Sequence, residues 1–330
     1  MRYRLLGRTG LRVSELFLGA MAFGHREGLT GIDEARRIVD LYGDAGGNVI
    51  DTADKYDSGG SEDIVGGVLA GRRDRFVLAT KYTRSRDTTD PNASGSHRKN
   101  LTLALEASLR RLRTDYIDLY WVHVWDPFTP IEETVRALDD AVRAGKILHI
   151  GISDAPAWVV ARANTLAEGH DWTPFSCVQV PYNVLTRDIE REMLPMAESL
   201  GIGVATWRTL HRGVLAGRAR EPLDEREQAV VTVLGQIAEL VGASRAQVAI
   251  AWARARSHAI HPLIGVSRHD QLGELLGAVD ITLSPESVAA LDSVSGYQAG
   301  FLAEFIDTAG RQTLGEHFDS PVGPDRYRYA

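Results

Sequence analysis

A carboxylate, a phenol, an ammonium and an imidazole fall at or just beyond the ends of three successive apolar runs. They are Asp51 in Val-Ile-Asp-Thr-Ala, Tyr56 five residues on, Lys81 and His123. Such a set can move protons. A phenol has a pKa near 10, so it donates usefully near neutral pH only with a cation beside it. A lysine can be that cation, or it can be the Schiff-base nucleophile of a barrel lyase or aldolase. Singly, each residue has a plainer use. Asp51 reads as a helix cap or ion-pair partner, Tyr56 as a loop aromatic over a core edge, Lys81 as a solvated charge and His123 as a hydrogen-bonded core histidine. Their shared position at strand ends makes them a candidate site.

The runs that carry them belong to a series of eight: Leu16 to Ala20, Asn48 to Thr52, Phe76 to Lys81, Ile117 to His123, Ile147 to Ser153, Ser176 to Pro181, Gly201 to Trp207 and His261 to Val266. Between them apolar residues recur at three and four positions, as in Ala35, Ile38, Val39, Tyr42 and in Ile131, Val135, Leu138, Val142. Strands alternating with one-faced helices, with no GxGxxG after the first, predict an α/β fold of the closed (β/α)8 TIM-barrel kind rather than an open sheet. Barrel enzymes carry their chemistry at the carboxyl ends of the strands, where these four residues fall.

A barrel needs roughly 250 residues, so the 330 present are expected to form one domain over 1–330. Residues 1–15 read as a hairpin cap around Gly7-Arg8-Thr9-Gly10. Extra helices are expected at Val230 to Leu240 and Pro285 to Ser293, with Gly217 to Gln228 irregular and 297–330 an irregular tail. The formal charge of -7 offers no basic patch and argues against nucleic-acid partners. The single cysteine, Cys177, excludes an internal disulfide and a structural zinc site, and no metal site is expected. No apolar run approaches the roughly 20 residues of a membrane span and the start lacks a signal-peptide core, so the chain reads as cytoplasmic with no membrane partner.

Val49-Ile-Asp-Thr-Ala-Asp-Lys-Tyr56 with Gly60-Ser-Glu62, then Ala79-Thr-Lys81, then Asp118-Leu-Tyr-Trp-Val-His123, resemble successive signatures of the aldo-keto reductase family. The likeness extends over nearly the whole chain, and Val122 to Ser153 resembles the bacterial branch that also contains potassium-channel β subunits. The resemblance implies an NADP(H)-dependent oxidoreductase that reduces an aldehyde or ketone to an alcohol. It assigns Tyr56 as general acid, Lys81 as the charge beside its hydroxyl, Asp51 as the partner that holds Lys81, and His123, neutral, as the hydrogen-bond donor that orients the substrate oxygen.

The same resemblance places a nicotinamide across the barrel mouth. Ala20, Met21 and Asp51 fall among its contacts, Ser153, Asp154 and Gln179 near the carboxamide, and Trp207 on the ring face. Arg208, Leu210, Arg212 and Arg218 lie toward the pyrophosphate, and Gly265, Ser267, Arg268, Gln271 and Glu274 around the adenosine and its 2'-phosphate. An arginine facing that phosphate favours NADP(H) over NAD(H).

Departures from the pattern stand out. Asp154 replaces a common Asn, Arg208-Thr209-Leu210 replaces Ser-Pro-Leu, and Leu275 replaces an Asn. The loop after Gly217 is short, with Arg218 and Arg220 as remnants of a pyrophosphate clasp, which predicts looser cofactor binding. Met21, Phe23, Tyr56, His123 and Trp125 are expected to line the substrate pocket, which suits a flat or apolar carbonyl compound and also admits a quinone or keto-sugar. The alternative implied by the channel branch is a nicotinamide-binding redox-sensing subunit with slow turnover, against which the retained His123 argues. Oligomeric state is not legible.

Overall fold

In the computed structural model, which describes residues 1–85, 87–219 and 221–314, the eight expected strands pair in parallel and close on themselves. A hairpin of β1 (Tyr3–Leu5) and β2 (Arg12–Ser14) precedes β3 (Phe17–Gly19) and α1 (Ile32–Asp44). Then come β4 (Val49–Asp51), α2 (Gly60–Leu69), β5 (Val77–Tyr82), α3 (Arg98–Leu112), β6 (Ile117–Val122), α4 (Ile131–Arg143), β7 (Ile147–Ser153) and α5 (Ala157–Gly169). The order continues with β8 (Phe175–Pro181), α6 (Met193–Leu200), β9 (Gly203–Trp207), α7 (Glu225–Val241) and α8 (Arg245–Arg256). It ends with β10 (Ile260–Gly265), α9 (His269–Leu276), α10 (Pro285–Val294) and α11 (Phe301–Leu314). The barrel closes where β10 pairs with both β3 and β9.

Alternation along each strand sets which side chains enter the barrel. Phe17, Val49, Val77, Ala79, Leu119, Trp121, Cys177 and Ala205 form one buried cluster inside it, closed below by Leu6 and Val13 of the hairpin segment. The intervening Leu18, Ile50, Leu78, Tyr120, Val122, Ile152, Val178 and Val204 pack outward against the helices. Trp121 is completely buried, and its indole takes the space left by Gly151, where a Cβ would come within 2.3 Å of the ring. A side chain at Gly151 would overpack this layer, at a cost of about 1–3 kcal/mol.

Advancing two residues along that parity gives the layer above: Asp51, Lys81, His123, Ser153, Gln179 and Trp207. The period of the strand thus delivers six chemistry-bearing side chains to one level of the barrel mouth.

Two expected boundaries need correction. Helix α7 begins at Glu225, inside the stretch expected to be irregular to Gln228, because Asp224 accepts from the Glu227 N–H at 2.7 Å while Glu227 reaches back to the Asp224 N–H at 3.1 Å. The tail is also not irregular throughout, since Phe301–Leu314 is helical; apolar residues at 301, 302, 305 and 306 share one face. Residues 315–330, like Arg220, lie outside the described part. Among the described residues no single helix is long and apolar enough to cross a membrane.

Candidate active site

Lys81 is the hub. Its Nζ donates to Asp51 Oδ2, to the Thr52 carbonyl at 3.0 Å and to the Tyr56 hydroxyl at 3.4 Å, which uses the three N–H bonds of an ammonium. Asp51 and Lys81 are 1% and 0% exposed. Gln179 Nε2 donates to the other oxygen of Asp51 at 3.1 Å, so each oxygen of this buried carboxylate is occupied. Burial pulls the lysine pKa down, but Asp51 and the Tyr56 hydroxyl more than offset it and hold Lys81 above its ordinary value. A lysine kept protonated in this way is a fixed cation and a poor Schiff-base nucleophile.

Tyr56 stands on the loop between β4 and α2, with its ring edge-on to His123 at 5.8 Å between centroids and an interplanar angle of 89°. The His123 backbone N–H is fixed by the Tyr82 carbonyl at 2.9 Å and by Thr83 Oγ1 at 3.2 Å. Its imidazole is 8% exposed. Its Nδ1 is buried with no hydrogen-bond partner among the described residues. Burial, then the charges of Lys81 and Arg84, push the His123 pKa down to about 2, so the ring is neutral at any working pH. The phenol, the neutral imidazole and the buried ammonium therefore form one cluster in which proton donation and oxyanion stabilisation can meet.

Around this cluster the other expected contacts fall unevenly. Ser153 is buried at the end of β7, and Gln179 has committed its amide N–H to Asp51. Trp207 Nε1 donates to Asp154 Oδ1 at 3.2 Å, which fixes the indole, and the Arg208 guanidinium lies 5.1 Å from the Trp207 ring centroid. Although Asp154 is exposed as a residue, partial burial of its carboxyl in the mouth raises the pKa. Arg208 (φ 58) and Arg212 (φ 53) are both left-handed, and Asn183 Nδ2 holds the Arg208 carbonyl at 3.0 Å.

At the far end, Arg268 is forked onto Asp270 at 3.0 and 2.8 Å, Ser267 meets Gln271 at 3.1 and 3.3 Å, and Arg218 reaches Glu274 at 3.1 Å. Gly265 leaves the backbone open, since a Cβ there would meet only the Gly19 carbonyl at 3.9 Å. Leu210 packs partly buried against the core.

Two of the expected contacts are fully buried. Phe23 is fully buried in the outer core and does not reach the pocket surface, because the loop after β3 folds back on itself, pairing Phe23 with Thr30. Ala20 is also fully buried; its N–H donates to the Asp51 carbonyl at 2.8 Å and its carbonyl accepts from Ser61 Oγ at 2.7 Å. Met21, by contrast, is 67% exposed. Trp125 leans edge-on against Trp158 at 5.7 Å.

Four residues with work near the site were not singled out from the sequence. Glu62, quoted there only as part of a motif, is fully buried and accepts from Thr80 Oγ1 at 2.6 Å and Arg111 Nε at 2.7 Å, tying α2 to the residue before Lys81. Arg84 adds its charge beside His123, and Asn183 shapes the Arg208 turn. Asp57 binds the loop after β3. Only Asp57 had a local signal, since it lies between the phenol and a Gly59-Gly60 pair.

Residues 15–295 match the Aldo/keto reductase family. Among curated proteins the chain is 39% identical over 324 residues to a norsolorinic acid reductase of Emericella nidulans, covering 92% of this chain and 84% of that one. It is 35% identical over 338 residues to a putative aryl-alcohol dehydrogenase of Saccharomyces cerevisiae, with 92% and 89% covered. An aryl-alcohol dehydrogenase of Pestalotiopsis microspora is 34% identical over 330 residues, with 94% and 86% covered.

Proposed function

Because this chain belongs to the aldo/keto reductase family, we propose that it reduces aryl aldehydes or ketones to alcohols with NADPH, with Tyr56 as the proton donor. The observation that carries this reading is the Lys81 ammonium, bonded to buried Asp51 and 3.4 Å from the Tyr56 hydroxyl. As the carbonyl oxygen gains charge, Tyr56 delivers its proton there, and Lys81 stabilises the phenolate left behind. Neutral His123 shares the oxygen and orients it. Asp51 fixes the ammonium and is itself fixed by Gln179, so the charges are set before substrate arrives.

When bound, the dinucleotide supplies the hydride, which no side chain can. The residues present fit such a group. Ser153, Asp154, Gln179 and Trp207 would hold the nicotinamide end, and Arg208, Arg212 and Arg218 the pyrophosphate. Gly265, Ser267, Arg268, Gln271 and Glu274 would hold the adenosine end. The guanidiniums of Arg268 and Arg218 are 63% and 59% exposed in their present ion pairs. Such exposed pairs are each worth about 0–1 kcal/mol, so a phosphate can take either guanidinium over. Met21, Trp125, Tyr56 and His123 would bound the substrate, and the aromatic surface suits an aryl group, in keeping with the relatives named aryl-alcohol dehydrogenases.

Initial rates of NADPH and NADH oxidation with aryl aldehydes, quinones and keto-sugars test the proposal. Turnover with aryl aldehydes and NADPH is expected. Oxidation of neither cofactor by any of the three substrate classes would overturn it.

A further inference from the structure

Directly after Tyr56 the chain takes three consecutive left-handed residues: Asp57 (φ 49), Ser58 (φ 55) and Gly59 (φ 98). Two of the three carry side chains, which disfavour this region, so surrounding contacts must hold the turn. The Asp57 carboxylate supplies them. Its Oδ2 accepts the His25 backbone N–H at 2.7 Å and its Oδ1 accepts from Arg26 Nε. The side chain is only 4% exposed. It fits between two glycines; a Cβ on Gly24 or Gly60 would come within 2.5 or 2.4 Å of Oδ2. The hydrogen bond from His25 and the bond from Arg26 hold the carboxyl below the ordinary aspartate value, so it is charged at neutral pH.

His25 and Arg26 belong to the loop from Met21 to Gly31, which runs between β3 and α1. That loop is tied to itself, with Gly24 N donating to the Thr30 carbonyl at 3.1 Å and Thr30 N to the Ala22 carbonyl at 2.8 Å. Its far end is tied to the segment after β10, where Thr30 Oγ1 donates to the Ser267 carbonyl at 3.0 Å, and next to it His269 N donates to Glu34 of α1 at 2.7 Å. Asp57 is therefore the joint between the turn that bears the phenol and a loop that reaches the proposed phosphate-binding residues.

We propose that Asp57 is a positioning residue: its carboxylate clamps the Met21–Gly31 loop to the Tyr56 turn and thereby holds the Tyr56 hydroxyl within reach of both Lys81 and the substrate oxygen. This rests on the reading of Tyr56 as proton donor. Asp57 touches no reacting atom; it acts by fixing where Tyr56 stands, and misplacement by about 1 Å can cost roughly 100-fold in rate.

Two variants isolate the carboxylate from the backbone. Asp57→Gly removes the clamp while favouring the left-handed turn, so the fold is not burdened; Asp57→Asn keeps one acceptor oxygen and tolerates the same turn. Hydrogen–deuterium exchange over residues 21–31 in the cofactor-free protein reads the clamp itself. In Asp57→Gly, exchange there should be about tenfold faster and kcat for an aryl aldehyde lower by at least about tenfold. A larger isotope effect with deuterated NADPH and an NADPH dissociation constant within about threefold of the parent should accompany this, and Asp57→Asn should recover much of kcat.

Unchanged exchange in the glycine variant, or faster exchange with parental kcat and isotope effect, would overturn the proposal. If the parent protein reduces no carbonyl compound at all, the reading of Tyr56 as acid fails, and the exchange measurement still decides whether Asp57 holds the loop.

Discussion

Lys81→Met removes the charge on which the site turns while keeping much of the side chain's volume. At 3.4 Å from the Tyr56 hydroxyl, an ammonium in surroundings of effective dielectric about 20 stabilises a phenolate by roughly 5 kcal/mol. At about 1.4 kcal/mol per tenfold, that corresponds to a fall of roughly 10³–10⁴ in kcat. The substitution also leaves Asp51 buried with Gln179 as its remaining side-chain donor, which by itself destabilises a protein by about 3–5 kcal/mol. The two effects separate by pairing Lys81→Met with Asp51→Asn, which removes the orphaned charge: stability should largely return and kcat should not. Steady-state rates and urea midpoints on the parent, the single variant and the double variant measure both. A loss below about tenfold in kcat, or recovery of kcat together with stability, would mean that the lysine is only a structural partner of Asp51.

His123 provides a test in pH. Its pKa in the fold is about 2 against an ordinary 6.5, so between those values the unfolded chain binds the extra proton. Stability from its burial is complete above pH 6.5 and declines as pH falls toward 2, by about 2 kcal/mol between pH 7 and 5. His123→Gln, which has no such proton, should lose that much less stability over the interval in urea titrations at the two pH values; identical acid sensitivity in the two proteins would remove the basis of the neutral imidazole. At the proposed adenosine site, Arg268→Ala should raise the NADPH dissociation constant by about 10–100-fold and leave NADH binding within about threefold, since a bond to a charged group is worth about 1.5–3 kcal/mol. Equal effects on both cofactors, measured by quenching of tryptophan fluorescence, would separate Arg268 from the 2'-phosphate.

The barrel was legible because eight apolar runs alternate with one-faced helices, and the strand-borne part of the candidate cluster because side chains along a strand alternate with a period of two, whereas Tyr56 stands on the loop after β4. Val49 and Asp51, Ala79 and Lys81, Cys177 and Gln179, Ala205 and Trp207 each place an apolar residue in the lumen and a candidate site residue directly above it. What the strands do not carry was harder to read. Phe23 lies in a loop, where an apolar residue fits a pocket wall or a core equally well, and only the return of the chain to Thr30 buries it. Asp57 acts through a left-handed turn that residue type alone does not announce, and its partner His25 is 32 positions away. The partners of Arg268 and Arg218 are acidic residues of α9 itself, Asp270 and Glu274, and spacing cannot say whether such an arginine meets a carboxylate or a phosphate. Helix α11 was not expected because its apolar repeat, Phe301, Leu302, Phe305 and Ile306, covers less than two turns and stays largely exposed, so it does not carry the longer one-faced pattern of the core helices.

The proposed proton donor is the Tyr56 hydroxyl. Tyr56→Phe removes that one oxygen atom and leaves the ring against His123. Single-turnover reduction of an aryl aldehyde by this variant, with NADPH already bound and its dissociation constant measured on the same sample, should be slower by about 10²–10⁴-fold while binding stays within about threefold. Reduction within about fivefold of the parent rate would assign the proton to another group.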